Sequence, residues 1–185
     1  MLNCLRKSSA YFIVLVFFLL RMIESQAPVR EYGRVYYQLG LDSVKQRAFP
    51  NARGYFLKAI QSNWDLDSAH HQLSEIYLKE GDVDKAIQAA QNAVIINPFL
   101  YAAYNVLGLA FDRKGQYPTA ISYFRKAIPW PYPKEVSTYF YNMGLTYVHM
   151  GDTNAAAEQI STLNYIGFRE LAEKLEGQMR LRQAL

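Results

Sequence analysis

The chain has 185 residues, of which 51% are hydrophobic and 19% charged, enough apolar material for a sizeable core and too much for a disordered tail. Half of the net charge of +4 comes from residues 1–27, where Arg6, Lys7 and Arg21 meet only Glu24; the remainder lacks the basic stripe a nucleic-acid binder needs, so no nucleic-acid partner is expected. A single cysteine, Cys4, excludes an internal disulfide and any cysteine-based zinc site.

Residues 1–27 are expected to be a signal peptide or a signal anchor. Arg6-Lys7 precede an uncharged run from Tyr11 to Leu20, and Arg21 closes it. An apolar stretch of about 7–15 residues suits an export signal, whereas spanning a bilayer takes about 20. Ser25-Gln26-Ala27 place small side chains where signal peptidase reads them, although Pro28 follows the cut. Cleavage predicts an extracytoplasmic protein, periplasmic or secreted. The alternative is a protein anchored in the membrane through residues 11–23, with Arg21 reaching the interface. Cys4 lies ahead of the apolar run, so it does not match a lipoprotein cysteine.

After this segment the chain repeats itself every 34 residues. Gly81 and Gly115, Tyr77 and Phe111, Leu73 and Leu107, Ala86 and Ala120, and Ala93 and Ala127 all keep that register. The series extends upstream through Leu39, Ala52, Phe56 and Ala59, and resumes downstream after a two-residue slip at Gly144, Tyr147, Gly151 and Ala156. A repeat domain over residues 28–170 is therefore expected, with units at 33–66, 67–100, 101–134 and 137–170, followed by an amphipathic capping helix over 171–185.

Each unit reads as helix, tight turn, helix. In the third, Tyr104, Leu107, Ala110 and Phe111 recur at helical spacing and Gly115 closes the helix, with Arg113 and Lys114 at the negative end of its dipole. The second helix follows through Ala120, Ile121, Phe124 and Ala127; small Gly108 and Ala120 are expected to let the two backbones approach. Asn97-Pro98 terminates the unit before it. Asp82 and Asp152 follow their glycines as expected N-caps of second helices.

The spacing Leu107-Gly108-x-x-Phe111, then Gly115-x-Tyr117-x-x-Ala120-x-x-x-Phe124-x-x-Ala127, resembles the tetratricopeptide repeat, and Leu73, Tyr77, Gly81, Ala86, Ala93 and Pro98 match it one unit earlier. The departures are Arg47 for the turn glycine and Trp64 for the closing proline in unit one, Ser74 and Ala90 for Gly and Phe in unit two, and Leu163-Asn164 in unit four. The resemblance implies an all-α fold, a right-handed superhelical solenoid of about four helix-turn-helix repeats plus the C-terminal capping helix, with first helices lining a concave groove. It places the groove at Tyr37, Leu41, His71, Glu75, Asn105, Leu109, Asp112, Tyr141, Leu145 and His149. The lysines with which chaperone-tail binders of the family hold a terminal carboxylate are missing; Asn105 would serve a peptide backbone, and Tyr37 and Tyr141 would supply contact area.

Three further features have plain explanations. His70-His71 point about 100° apart on a helix, and no carboxylate one turn from His149 completes a ligand pair, so no metal is expected. Pro129-Trp130-Pro131-Tyr132-Pro133 reads as a linker that absorbs the slip, with Trp130 packed on adjoining helices, more readily than as an exposed anchor. Most of the 15 tyrosines fall at repeat core positions. With no phosphate-binding glycine loop, G-x-S-x-G or H-E-x-x-H, the chain is expected to be no enzyme and to carry no cofactor. The expected function is an exported adaptor or scaffold that binds a peptide or helix of a partner protein in its groove and assists assembly of an envelope or secretory-pathway complex. The alternative is a structural module that self-assembles into homo-oligomers.

Overall fold

The computed structural model describes residues 31–129 and 136–184. The expected export segment and the Trp130–Pro133 portion of the linker lie outside the described residues. The chain divides into two compact units, the first ending at Asp65 and the second beginning at Leu66. The boundary falls between the first and second helix pairs of the 28–170 region.

The first unit contains helical residues 31–45, called α1, and α2 over Phe49–Gln61. Pro50 sits in the first turn of α2, where its missing N–H is no loss. Phe56 is fully buried, and Tyr37 meets it edge-on at 5.5 Å between ring centroids. Arg47 takes the turn glycine's place and its conformation too, with φ at 58°. That left-handed geometry disfavours side chains other than glycine.

The second unit contains α3 (Leu66–Glu80), α4 (Val83–Ile96), α5 (Tyr101–Arg113), α6 (Tyr117–Ala127), α7 (Ser137–Met150), α8 (Thr153–Tyr165) and α9 (Arg169–Gln183). No strand occurs among the described residues, and the architecture is an all-α helical-repeat solenoid. The α5–α6 turn shows how a pair is joined. Gly115 has φ at 71°, and the Gln116 N–H returns to the Phe111 carbonyl at 2.9 Å. Asp82 and Asp152 make the same return bond, to Tyr77 and Tyr147, at 2.9 Å each. These closures satisfy carbonyls that a helix end leaves open. The two aspartates also cap, Asp82 accepting from the Lys85 N–H at 3.3 Å and Asp152 from the Ala155 N–H at 3.0 Å. At the other end of α4, Asn97 donates to Asp67 at 2.7 Å and accepts from the Phe99 N–H at 3.0 Å, which turns the chain into the next repeat.

The space beside Gly108 is taken by the Phe124 ring. A Cβ on Gly108 would lie 2.5 Å from that ring, and Gly40 stands in the same relation to Phe56 at 2.6 Å. The expectation that most tyrosines fall in the core is corrected: Tyr147 is the one buried tyrosine among the described residues, and Tyr165 is 92% exposed. The phenol keeps its hydroxyl in reach of water or a polar partner, so tyrosine covers the rim of the core while alanine, leucine and phenylalanine fill it. Arg113 keeps its expected place in the last turn of α5, and its guanidinium reaches on to donate to the Leu78 carbonyl near the end of α3, one repeat back.

Candidate functional site

Within the unit beginning at Leu66, α3 packs against α5, α5 against α7, and α7 against α9. The second helices α4, α6 and α8 make no contact of comparable extent with one another. A layer whose members touch side by side has the smaller radius, so the first helices form the inner, concave layer of this unit. α9 stands where the first helix of a further repeat would stand.

Side chains bond across this layer. Asn142 on α7 donates its amide to the Asn105 side-chain oxygen on α5 at 2.9 Å. Two helical turns on, the His149 Nδ1 meets the Asp112 carboxylate at 3.0 Å, so the carboxylate beside His149 comes from the neighbouring helix and not from a neighbouring turn. Both links join residues 37 apart and hold α5 and α7 in one register. Asn105 is thus engaged by the next repeat through its oxygen, which leaves its NH2 and the Asn142 oxygen as one donor and one acceptor on the pair. Tyr141 is half-buried, with the Lys174 ammonium of α9 over its ring at 5.3 Å from the centroid. Leu109 and Leu145 are half-buried against the core that α6 to α9 form.

The α3 end of the layer is different in character. The His71 side chain is 12% exposed, and its Nε2 has no hydrogen-bond partner. The Glu75 carboxylate stands 3.7 Å from that nitrogen, too far for a hydrogen bond, and is 39% exposed. Burial pushes the His71 pKa below its ordinary value, and the nearby Glu75 charge opposes the shift without overcoming it. The imidazole is therefore neutral near pH 7. Tyr139 on α7, half-buried, has its phenol pKa raised by burial first and by the Glu75 charge second. Tyr37 and Leu41 belong to the other compact unit, where both are half-buried on α1.

Asn142, Tyr139 and Lys174 join the layer without having been marked by the 34-residue register. Asn142 is one position beyond the repeat equivalent of Asn105 once the two-residue slip is counted. A search for polar pairs offset by a single residue would have found it. Among the described residues no group of three or more histidine, cysteine or carboxylate side chains could hold a metal ion. No helix there is long and apolar enough to cross a membrane.

Comparison with known proteins gives this architecture its class. The tetratricopeptide-repeat family model matches residues 37–101 and 71–133, together just over half of the chain. The chain belongs to the tetratricopeptide repeat family. The chloroplastic tetratricopeptide repeat domain-containing protein PYG7 of Arabidopsis thaliana is 28% identical over 96 residues, which make up 50% of this chain. The chain spans about a third, 32%, of the length of that relative. Among solved structures, the MamA protein aligns with a TM-score of 0.64 at 20% identity, over 83% of this chain and 93% of its own. YrrB, described as a TPR protein with an unusual peptide-binding site, aligns with a TM-score of 0.65 at 21% identity, over 91% of this chain and 88% of its own.

Proposed function

We propose that the chain is a protein-interaction scaffold whose first-helix layer, from α3 to α7, receives an extended segment or helix of a partner protein. The observation that carries this is the concave layer itself. Its backbone register is fixed by the Asn105–Asn142 and Asp112–His149 links, while half-buried Tyr139, Tyr141 and Glu75 stay partly open beside them. A preorganised surface of rigid aromatic and polar groups loses little entropy when it binds. The peptide-binding site for which YrrB is described agrees with such use of the fold.

The finer reading is an exported adaptor that helps assemble an envelope or secretory-pathway complex. It is supported by the order of charges and apolar residues from Arg6 to Ala27. Both parts are tested by one crosslinked capture from the native host, comparing wild type with a Tyr141→Arg variant of unchanged circular dichroism. Partners captured by the wild type and lost from the variant support the groove, and a bait beginning near Pro28 supports export with cleavage. The same partners on both forms would overturn the groove reading.

A further inference from the structure

The concave layer of the second unit is short of basic side chains. On α3, α5 and α7 the lysines and arginines are Lys79 and Arg113, both at helix ends, and Arg113 is spent on the Leu78 carbonyl. Of the carboxylates on the layer, Asp112 has His149 against it. Glu75 is placed otherwise. Among the described residues no lysine or arginine forms an ion pair with it, and the buried His71 imidazole lies 3.7 Å away.

That imidazole cannot neutralise the carboxylate, because burial keeps it unprotonated near pH 7. It leaves a buried ring nitrogen, Nε2, without a partner. Native proteins rarely leave a buried polar atom unmatched, and each such atom calls for an explanation. The α3 end of the layer thus offers a carboxylate beside a neutral imidazole, with no cation between them. Across the layer on α7, the half-buried Tyr139 stands close enough for the Glu75 charge to act on its hydroxyl.

We infer that Glu75, His71 and Tyr139 form a subsite for a basic side chain, a lysine ammonium or arginine guanidinium, carried by the peptide that lies in the groove. The match is one of chemistry. Both cations carry several donors and no acceptor, which is what a carboxylate with no lysine or arginine against it can use. Tyr139, whose hydroxyl feels the Glu75 charge, lines the same end of the layer. A terminal carboxylate, the group other members of the family hold with groove lysines, would meet Glu75 charge against charge. The inference rests on the groove reading above and deepens it by naming the chemistry of the partner.

The full-length protein is titrated with Nα-acetyl-L-arginine amide and Nα-acetyl-L-lysine amide, with Nα-acetyl-L-citrulline amide as the neutral isostere of arginine, and backbone amide shifts are followed by NMR. The expected result is a saturable change at residues 71–75 and 139 with either cationic probe, at least about tenfold weaker with citrulline, as loss of a charge-assisted hydrogen bond requires. Glu75→Gln should abolish the response at an unchanged melting temperature, and Glu75→Asp should restore part of it. Equal binding of citrulline amide, no binding of either cationic probe, or an undiminished response in Glu75→Gln would overturn the inference. If the cationic probes fail while Tyr141→Arg still costs the protein its partners, the basic subsite falls and the groove reading stands. If both fail, both fall.

Discussion

At Gly108 and Phe124 one side chain decides what its neighbour can be. The fully buried Phe124 ring occupies the place of a Cβ at Gly108, and unit two inverts the arrangement with Ser74 and Ala90, both fully buried. The serine fills part of the volume the absent ring would have taken, and its hydroxyl is satisfied by donating to the His71 carbonyl at 2.6 Å. The two departures from the family pattern in unit two are thus one compensated exchange. Copying it into unit three gives a quantitative expectation. Phe124→Ala alone should cost about 3–5 kcal/mol and Gly108→Ser alone about 1–3 kcal/mol. The double variant should cost less than their sum by about 0.5–3 kcal/mol, read from a denaturant-unfolding cycle. Exact additivity would show that the two sites do not share the volume. The exchange was visible in the sequence as a pair of oddities 16 residues apart. Its meaning was not, because volume compensation needs the two helices placed face to face.

His71 supplies a second expectation at this scale. Its folded pKa lies below the ordinary value of 6.5, chiefly through burial. Below that value the unfolded chain takes up a proton that the folded chain refuses, so stability falls as pH drops through about 6.5 and is regained on the way up. His70, also shifted down by burial, adds in the same direction. His71→Gln should flatten the dependence of melting temperature on pH between about pH 7 and about pH 5, and His70→Gln/His71→Gln should flatten it further. An unchanged slope in both would mean that neither histidine is desolvated by the fold.

Helix ends were the most legible elements, because their chemistry is local. A glycine in the left-handed region and an aspartate just after it specify the end of one helix and the start of the next within three residues, without help from the rest of the chain. Asp152→Ala removes the bond to the Ala155 N–H and should cost about 0.5–2 kcal/mol, while Asp152→Asn should retain most of it. Native-state hydrogen exchange at Ala155 should accelerate before that of the α8 interior. A uniform change across α8 would assign Asp152 a role other than capping. What lay beyond the sequence at this scale is how one element meets another. The Asn105–Asn142 link and the Arg113 bond to the Leu78 carbonyl depend on the rotation of each helix about its axis. Residue spacing fixes that rotation only to within a neighbouring position, so Asn105 was marked and Asn142 was passed over. Arg113 does stand at its own helix end, and residue spacing could not show that its long side chain also reaches the end of the helix one repeat back.

Across the whole molecule the 34-residue register foretold the helix order, since a repeat of that length leaves room for two helices and two turns. It said nothing of the division at Asp65. Stability in such a stack is nearly the sum of each repeat and its interfaces, so damage at one end stays near that end. Leu175 is the place to test this. It is fully buried, belongs to α9, and lies where a Cβ on Gly144 would come within 2.3 Å of it. Gly144 therefore stays small for the sake of Leu175 on α9, as Gly108 does for Phe124 in its own repeat. Leu175→Ala should cost about 2–5 kcal/mol, the range for truncating a buried leucine. The loss should be local. Amide exchange should rise in α7, α8 and α9, while α3 and α4 keep their protection, because they do not touch α9 to any comparable extent. If α3 and α4 open together with α9, the unit from Leu66 onward unfolds as one cooperative block, and a peptide bound near α3 would then stabilise the capping helix as strongly as its own repeat.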